Sequence, residues 1–349
     1  MPNTLRVSLV IPCFNAGATL RSCLQSVFQG PLDGIEVVLV DDNSTDDSIE
    51  IAGQFPVRII KNPRRLGPSS CRNVGLQNCA ADLVMFLDSD VELPPKTLDR
   101  ALTHMDLNPQ VGAFTSLLAA DSPQQNFFSR YKNIYMNYTF KQIEGPVRFL
   151  YGSFCGLRKS TGFQWPADLS WGEDTWLGNS MAEAGIEIHL LHQAEVIHHK
   201  TLSFRSLLHN DFRVPFGFAR TLVARLQTSQ HPLRNFSHTH PRQLISLSLI
   251  GALTLASLVS VGFAQSHLLW VLLPGFVFWY FVNQRWFEFV RRHGDLNFFR
   301  AAVAFTLLDQ LTMGLGAFFG LIYFGAKKIL NPRSEKVSFE GDHISHELS

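Results

Sequence analysis

Over its first 115 residues the chain alternates apolar runs of strand length with longer amphipathic ones, and this rhythm constrains the fold more than any other feature. VSLVI is followed by TLRSCLQSVF, EVVLV by DDSIEIAGQF, VRII by SSCRNVGLQNC and LVMFL by PKTLDRALTHM, before a last run, VGAFT. Strands that alternate with helices build a mainly parallel sheet with helices on both faces. The strand runs are apolar at nearly every position, as strands buried on both sides must be. The expected class is therefore α/β. Ser44 followed by Asp47 has the form of a capping box, and Pro94-Pro95 suits the first turn of the helix after LVMFL. After residue 115 the rhythm loosens, and the aromatic- and Asn-rich residues 121–150 read as an acceptor-facing region.

With 30 Lys+Arg against 29 Asp+Glu in 349 residues, the chain lacks the basic field that recruits nucleic acid by counterion release, and no nucleic-acid partner is expected. The five cysteines, Cys13, Cys23, Cys71, Cys79 and Cys155, form no CxxC pair and all fall in the first half, which suits reduced thiols of a cytosolic domain. The apolar run before Pro12 is too short for a signal peptide, so the N-terminal domain is expected to stay where it is made.

Beyond residue 200 the character changes. Leu202 to Leu226 carries apolar residues at helical spacing, interleaved with Arg205, Arg213, Arg220 and Arg225, the pattern of a helix lying on an anionic membrane or of a surface helix pair broken at Pro215. Leu244 to Ala264 is uncharged and long enough to cross a roughly 30 Å hydrocarbon layer at ~1.5 Å per residue. Leu268 to Val282 is shorter and flanked by Trp270, Trp279, Tyr280 and Trp286, which suits an interfacial belt. Ala301 to Phe324 is long enough but contains Asp309, costly at a helix centre unless it faces a partner helix. The count is two or three crossings. With the N-terminal domain in the cytosol, Arg285, Arg291, Arg292 and Arg300 return to the cytosol after two of them, as the positive-inside rule prefers. A third crossing places Lys327, Lys328, Arg333 and Lys336 outside, so either the third segment is re-entrant or the rule fails at the C-terminus.

The stretch VMFLDSDVEL, residues 84–93, runs a buried strand straight into Asp88 and Asp90. In an open α/β sheet, ligands bind outside the carboxyl ends of the strands. Two carboxylates at i and i+2 there can share a hard divalent cation, which cancels their repulsion, and Mg²⁺ or Mn²⁺ usually completes its shell with substrate phosphates. Asp-x-Asp after a strand is also a common solvated turn. The second strand likewise ends in carboxylates, Asp41 and Asp42. Capping of the next helix accounts for Ser44 to Asp47 but not for Asp41, which can accept from a base imide or ribose hydroxyls.

VSLVIPCFNAGATLRSCLQSV, VVLVDDNSTDDS, RRLGPSSCRNVGL, MFLDSD and WGEDTWLGNSMAEAG occur together in the order and spacing of the family 2 glycosyltransferases, which the chain resembles over roughly residues 5 to 200. The resemblance implies a GT-A nucleotide-diphospho-sugar transferase fold and transfer with inversion at the anomeric carbon. It implies that Pro12 and Asp41 line a nucleobase pocket with Asp42 and Ser44 close by, and that Gly67 and Gly75 are the loop and helix glycines. Arg72 matches a basic residue near the nucleotide. Asp88, Ser89 and Asp90 match the DxD triplet that orients the diphosphate through Mg²⁺ or Mn²⁺, and Asp174, beside Glu173, matches the general base. His198 matches a further metal ligand, with His199 the competing candidate. The donor would be a nucleotide-diphosphate sugar, UDP being the commonest nucleotide among similar proteins.

Processive relatives carry Gln-x-x-Arg-Trp; here Arg285-Trp286 is preceded at that position by Val282, so transfer of a single sugar is expected. The membrane segments imply a lipid-linked or membrane-associated acceptor and a multi-pass protein of the cell membrane whose catalytic domain faces the cytoplasm. A base favours a hydroxyl acceptor, since a polyprenyl phosphate is already anionic. A non-catalytic nucleotide-sugar-binding scaffold and a nucleotidyltransferase are the competing readings. The expected layout is a catalytic domain over 1–200, with donor half 1–115 and acceptor half 116–200. Amphipathic interfacial helices and a linker follow over 201–242, a membrane region over 243–330 and a polar tail over 331–349.

Overall fold

The structure, a computed structural model, describes residues 5–30, 32–121, 123–169, 172–228, 241–262 and 269–330. The first half runs β1 (Val7–Cys13), α1 (Leu20–Phe28), β2 (Ile35–Asp41), α2 (Ser48–Ala52), β3 (Arg58–Lys61), α3 (Pro68–Asn78), β4 (Leu83–Leu87), β5 (Val91–Glu92), α4 (Thr97–Leu107) and β6 (Ala113–Leu118). It continues through α5 (Phe127–Lys141), β7 (Phe154–Arg158), α6 (Glu173–Glu183) and β8 (Ile188–His198). Five helices follow: α7 (Phe204–Thr228), α8 (Pro241–Gly262), α9 (Leu269–Val282), α10 (Gln284–His293) and α11 (Leu296–Leu330).

The eight strands form one sheet in the order β3-β2-β1-β4-β7-β6-β8-β5. β1 to β4 are mutually parallel, as the rhythm predicts, and every residue of β1 and β4 is buried. β7 enters antiparallel between β4 and β6, so the sheet is mixed. From β1 the chain first builds outward to β2 and β3, then returns to place β4 on β1's other side. A crevice therefore opens at the carboxyl ends of β1 and β4, where the strand order reverses. Gly75 lets α3 settle on β1: a Cβ there would come within 2.3 Å of Val10 Cγ1. All five cysteines are free and buried in this domain.

Two local expectations change, and a third region gains partners. Ser44 does not cap α2; its hydroxyl accepts from Asn15 N at 3.0 Å, tying the loop after β1 to the loop after β2. Pro94 and Pro95 precede α4, which starts at Thr97 after Lys96 takes φ 69°. Within the aromatic-rich stretch 121–150, α5 turns several rings toward the C-terminal helices and others, such as Phe140, toward Phe149 and Tyr151. Tyr131 and Tyr135 meet Trp286 edge-on at 5.7 and 5.4 Å.

α7 continues through Pro215 and packs its apolar face along α11. Two glycines of α11 make this approach possible, since a Cβ at Gly316 or Gly320 would lie 2.1 or 2.6 Å from the carbonyl oxygens of Phe212 and Phe216. Asp309 has intramolecular partners: Tyr131 Oη donates to its Oδ2 at 3.0 Å, and the buried Lys132–Asp211 ion pair joins α5 to α7 nearby. A closed polar ring ties α8, α9 and α11. Ser246 and Trp279 both donate to Gln310 Oε1, Gln310 donates to Asn283 Oδ1, and Asn283 donates to Ser246.

Among the described residues one helix, Leu296–Ile329, is long and apolar enough to cross a membrane, and 33% of its most apolar window is buried inside the protein; the core helix of a soluble protein meets the same test. α9 has only 14 residues and contains Pro274. Exposed Trp270, Leu273, Phe278, Phe281, Phe318, Ile322 and Tyr323 cover α9 and α11 with apolar surface. Residues 229–240, Ala264 with its neighbours, Leu268 and the 331–349 tail lie outside the described residues.

Candidate active site

A cleft of about 600 Å³ opens at the strand-order reversal, lined among others by Pro12, Phe14, Asp42, Gly67, Arg72, Asp88, Ser89 and Asp90. Its floor is the carboxyl end of β1, which β2 and β4 hold on either side. Asp42 organises one wall. Its carboxylate accepts from Asn62 Nδ2 at 2.9 Å and from Leu66 N and Gly67 N at 2.8 Å, which fixes the loop into α3. Burial opposes its charge, but these donors hold the carboxyl below its ordinary range. Gly67 takes φ 89° at the start of α3, a conformation that favours glycine. Asp41 is buried and accepts from Ser44 N at 3.1 Å; neither Asp41 nor Ser44 lines the cleft.

Arg72 lies between two acidic positions. Its Nη2 donates to Asp88 Oδ1 at 2.7 Å and its Nη1 is 3.5 Å from Glu173 Oε1, with the side chain only 4% exposed. The Trp165 ring covers the guanidinium at 4.4 Å. Trp165 is itself held by the next residue of the same motif: Asn73 exchanges two hydrogen bonds with its backbone, at 2.7 and 2.8 Å. Gly152 leaves room for the guanidinium, since a Cβ there would fall 2.8 Å from Arg72 Nη2. Burial disfavours the charge, yet Asp88 and Glu173 outweigh it and hold Arg72 firmly protonated.

The two-residue strand β5 pairs with the end of β8, setting Val91 opposite His198. That pairing brings His198 Nε2 to 3.1 Å from Asp90 Oδ2 and His199 Nε2 to 2.7 Å from Glu92 Oε1. His199, not His198, lines the cleft. Burial and neighbouring Asp90 push Asp88 above the ordinary carboxylate range, despite Arg72. Burial would raise Asp90 too, but His198 and Lys200 bring it below that range.

A carboxylate and an imidazole already at contact distance, with a second carboxylate electrostatically coupled to both, form a donor set that fits a divalent cation of the Mg²⁺ or Mn²⁺ kind. Among the described residues no three His, Cys, Asp or Glu side chains converge on one point, so such a cation would need substrate oxygens and water to complete its shell.

Glu173 and Asp174 open α6, where Gly172 takes φ 72°. Glu173 lines the cleft and Asp174 does not. Asp174 Oδ1 accepts from Thr175 N at 2.7 Å; burial pushes its carboxyl up to about 7, and Glu173 adds to the rise. Asp174, Asp88 and Asp90 add to the rise that burial gives the Tyr151 phenol.

Residues 8–161 match the family profile described as Glycosyl transferase family 2. That segment, less than half of the chain, is similar to the family 2 glycosyltransferases. The chain is 34% identical over 104 residues to an uncharacterized glycosyltransferase of Haemophilus influenzae, covering 28% of this chain and 42% of that one. It is 30% identical over 151 residues to a pre-mycofactocin glycosyltransferase of Mycobacterium tuberculosis, covering 42% and 30%. The matched segments thus span less than half of either relative. Among solved structures, mannosyltransferase PcManGT from Pyrobaculum calidifontis, in complex with GDP-Man and Mn²⁺, aligns with a TM-score of 0.54 at 15% identity, covering 93% of this chain and 87% of that one. At that identity the likeness speaks for the GT-A fold.

Around the cleft the structure adds residues that the sequence does not single out: Phe14, Arg65, stacked 4.0 Å over the Phe14 ring, and Lys200. Lys200 directly follows the two histidines of VIHHK, a signal readable in hindsight. Trp165 carries no such signal, because its role depends on a partner 92 residues away.

Proposed function

We propose that the protein transfers one sugar, with inversion, from a nucleotide-diphosphate sugar to a hydroxyl of a lipid-linked or membrane-associated acceptor. The observation that carries this reading is the grouping of Asp88, Asp90 and His198 at the crevice of a domain similar to the family 2 glycosyltransferases, with a carboxyl of raised basicity at the start of α6. The nucleotide lies along Pro12, Asp42 and Gly67, with Asp41 and Ser44 behind them and its diphosphate toward Ser89. Asp88, Asp90 and His198 would hold Mg²⁺ or Mn²⁺, which when bound offsets negative charge on the diphosphate. Asp174 takes the acceptor's proton as its oxygen attacks C1, and Glu173, held by Arg72, sets the position of α6's first turn. A hydroxyl is a poor nucleophile at neutral pH without such a base. Attack opposite the leaving group turns an α-linked donor into a β-linked product. The apolar exposed faces of α9 and α11 support insertion in the cell membrane, with the catalytic domain over 1–200 on the cytoplasmic side and α7 to α11 as its anchor.

The test is release of nucleoside diphosphate from a panel of nucleotide sugars by detergent-purified protein with Mn²⁺ and membrane lipid extract. Release from one donor, abolished by Asp88→Asn and Asp174→Asn, is expected. Pyrophosphate in its place would make the protein a nucleotidyltransferase, and donor binding without release would make it a scaffold. If Asp174→Asn turns over normally while Asp88→Asn is dead, the acceptor is a polyprenyl phosphate.

A further inference from the structure

Departure of a nucleoside diphosphate needs positive charge where negative charge gathers. Arg72 is the cation that the sequence offers for this, but its guanidinium is already committed. It contacts Asp88 and Glu173, lies under the Trp165 ring and is almost wholly buried. Two other cations line the cleft. Arg65 is stacked on Phe14. Lys200 is exposed and has no carboxylate within ion-pair distance among the described residues. The β5–β8 pairing fixes its place, because His199 N donates to Asp90 O at 2.8 Å and Lys200 is the next residue along.

We propose that Lys200 is the side chain that binds the diphosphate of the donor and meets the charge of the leaving group, while Arg72 is a positioning residue that holds Asp88 and Glu173 in place. The inference rests on the donor being a nucleotide-diphosphate sugar. In the step it serves, the bond between C1 and the β-phosphate oxygen breaks and the bond between C1 and the acceptor oxygen forms. The acceptor proton goes to Asp174, and the electron pair of the broken bond stays on the phosphate oxygen that Lys200 faces. A flexible ammonium suits this task, since it can follow the phosphate as the product leaves.

The experiment is a calorimetric titration of the whole detergent-purified protein with UDP and with GDP in the presence of Mn²⁺. Lys200→Met is expected to raise the Kd of whichever nucleotide binds by about tenfold or more, the scale of a lost charge-assisted contact. Lys200→Arg should recover most of the affinity, and the ligand-free thermal midpoint of both variants should match the parent. Unchanged affinity in Lys200→Met overturns the assignment while leaving the donor class intact. Loss confined to Arg65→Met gives the role to Arg65 and overturns it equally. If the parent protein binds no nucleoside diphosphate at all, with ADP, CDP and dTDP added to the panel, the donor reading itself falls and the inference with it.

Discussion

If Asp174 is the base, as proposed, it sets the pH behaviour of the site. Its carboxyl is pushed up to about 7 by burial and by Glu173, and a base must be ionised to work. Initial rates measured from pH 5.5 to 9 should therefore fall about tenfold per pH unit below about 7 and level off above it. The same displacement has a cost in stability. An unfolded aspartate loses its proton near its ordinary value of about 3.9, whereas the folded one keeps it to about 7. Between those values the folded state binds more protons, so stability falls as pH rises through that window. Asp174→Asn should accordingly raise the thermal midpoint at pH 8, with the gain shrinking toward pH 5; a constant gain across pH would mean that the carboxyl titrates normally. Arg72 works in the opposite sense. Arg72→Met leaves two half-buried carboxylates facing each other, and a loss of about 3 kcal/mol in denaturant unfolding is expected. The acidic residues were legible because an apolar strand run that passes directly into carboxylates marks the sheet edge where ligands bind. Arg72's commitment to Glu173, 101 residues away, was not, because no local pattern records a partner chosen by the fold.

Among the elements, those with a period of their own could be read in advance. β1, β2 and β4 contain the apolar runs VSLVI, EVVLV and LVMFL, while β6 begins two residues into VGAFT. The antiparallel entry of β7 could not, since an apolar strand carries no mark of the direction of its neighbours. β5, at two residues, is too short for any period, yet it carries the register that joins His198 to Asp90. Small residues in an apolar helix mark a close approach without naming the partner, which here is α7 of the same chain. Gly316→Ala should force α7 and α11 apart and cost about 1–3 kcal/mol, measured by thermal unfolding in detergent. Gly314→Ala, where a Cβ meets nothing within 4 Å, should be neutral or slightly stabilising through helix propensity. Equal effects from the two would remove the close α7–α11 approach as the reason. Lys132→Met, which strands Asp211 in the interior, should cost about 3–5 kcal/mol in the same measurement.

At the scale of the whole molecule, the polar ring of Ser246, Trp279, Asn283 and Gln310 and the aromatic seam of α5 with α10 and α11 make the C-terminal helices and the sheet domain mechanical neighbours. If the helices sit in a bilayer, the protein should stay with membranes through high salt and alkaline carbonate and leave only with detergent; release by carbonate would assign α11 to an ordinary protein core. The five buried thiols, all between Cys13 and Cys155, give a further handle on this arrangement. Burial keeps each of them in the unreactive thiol form, and none lies in the C-terminal helices. An alkylating reagent thus acts as a stopwatch for the sheet domain alone. Its labelling rate times the opening of the sheet domain without any signal from the C-terminal helices, and, if those helices sit in a bilayer, the ratio of that rate in membranes to that in detergent would measure how far the bilayer steadies the domain beside them.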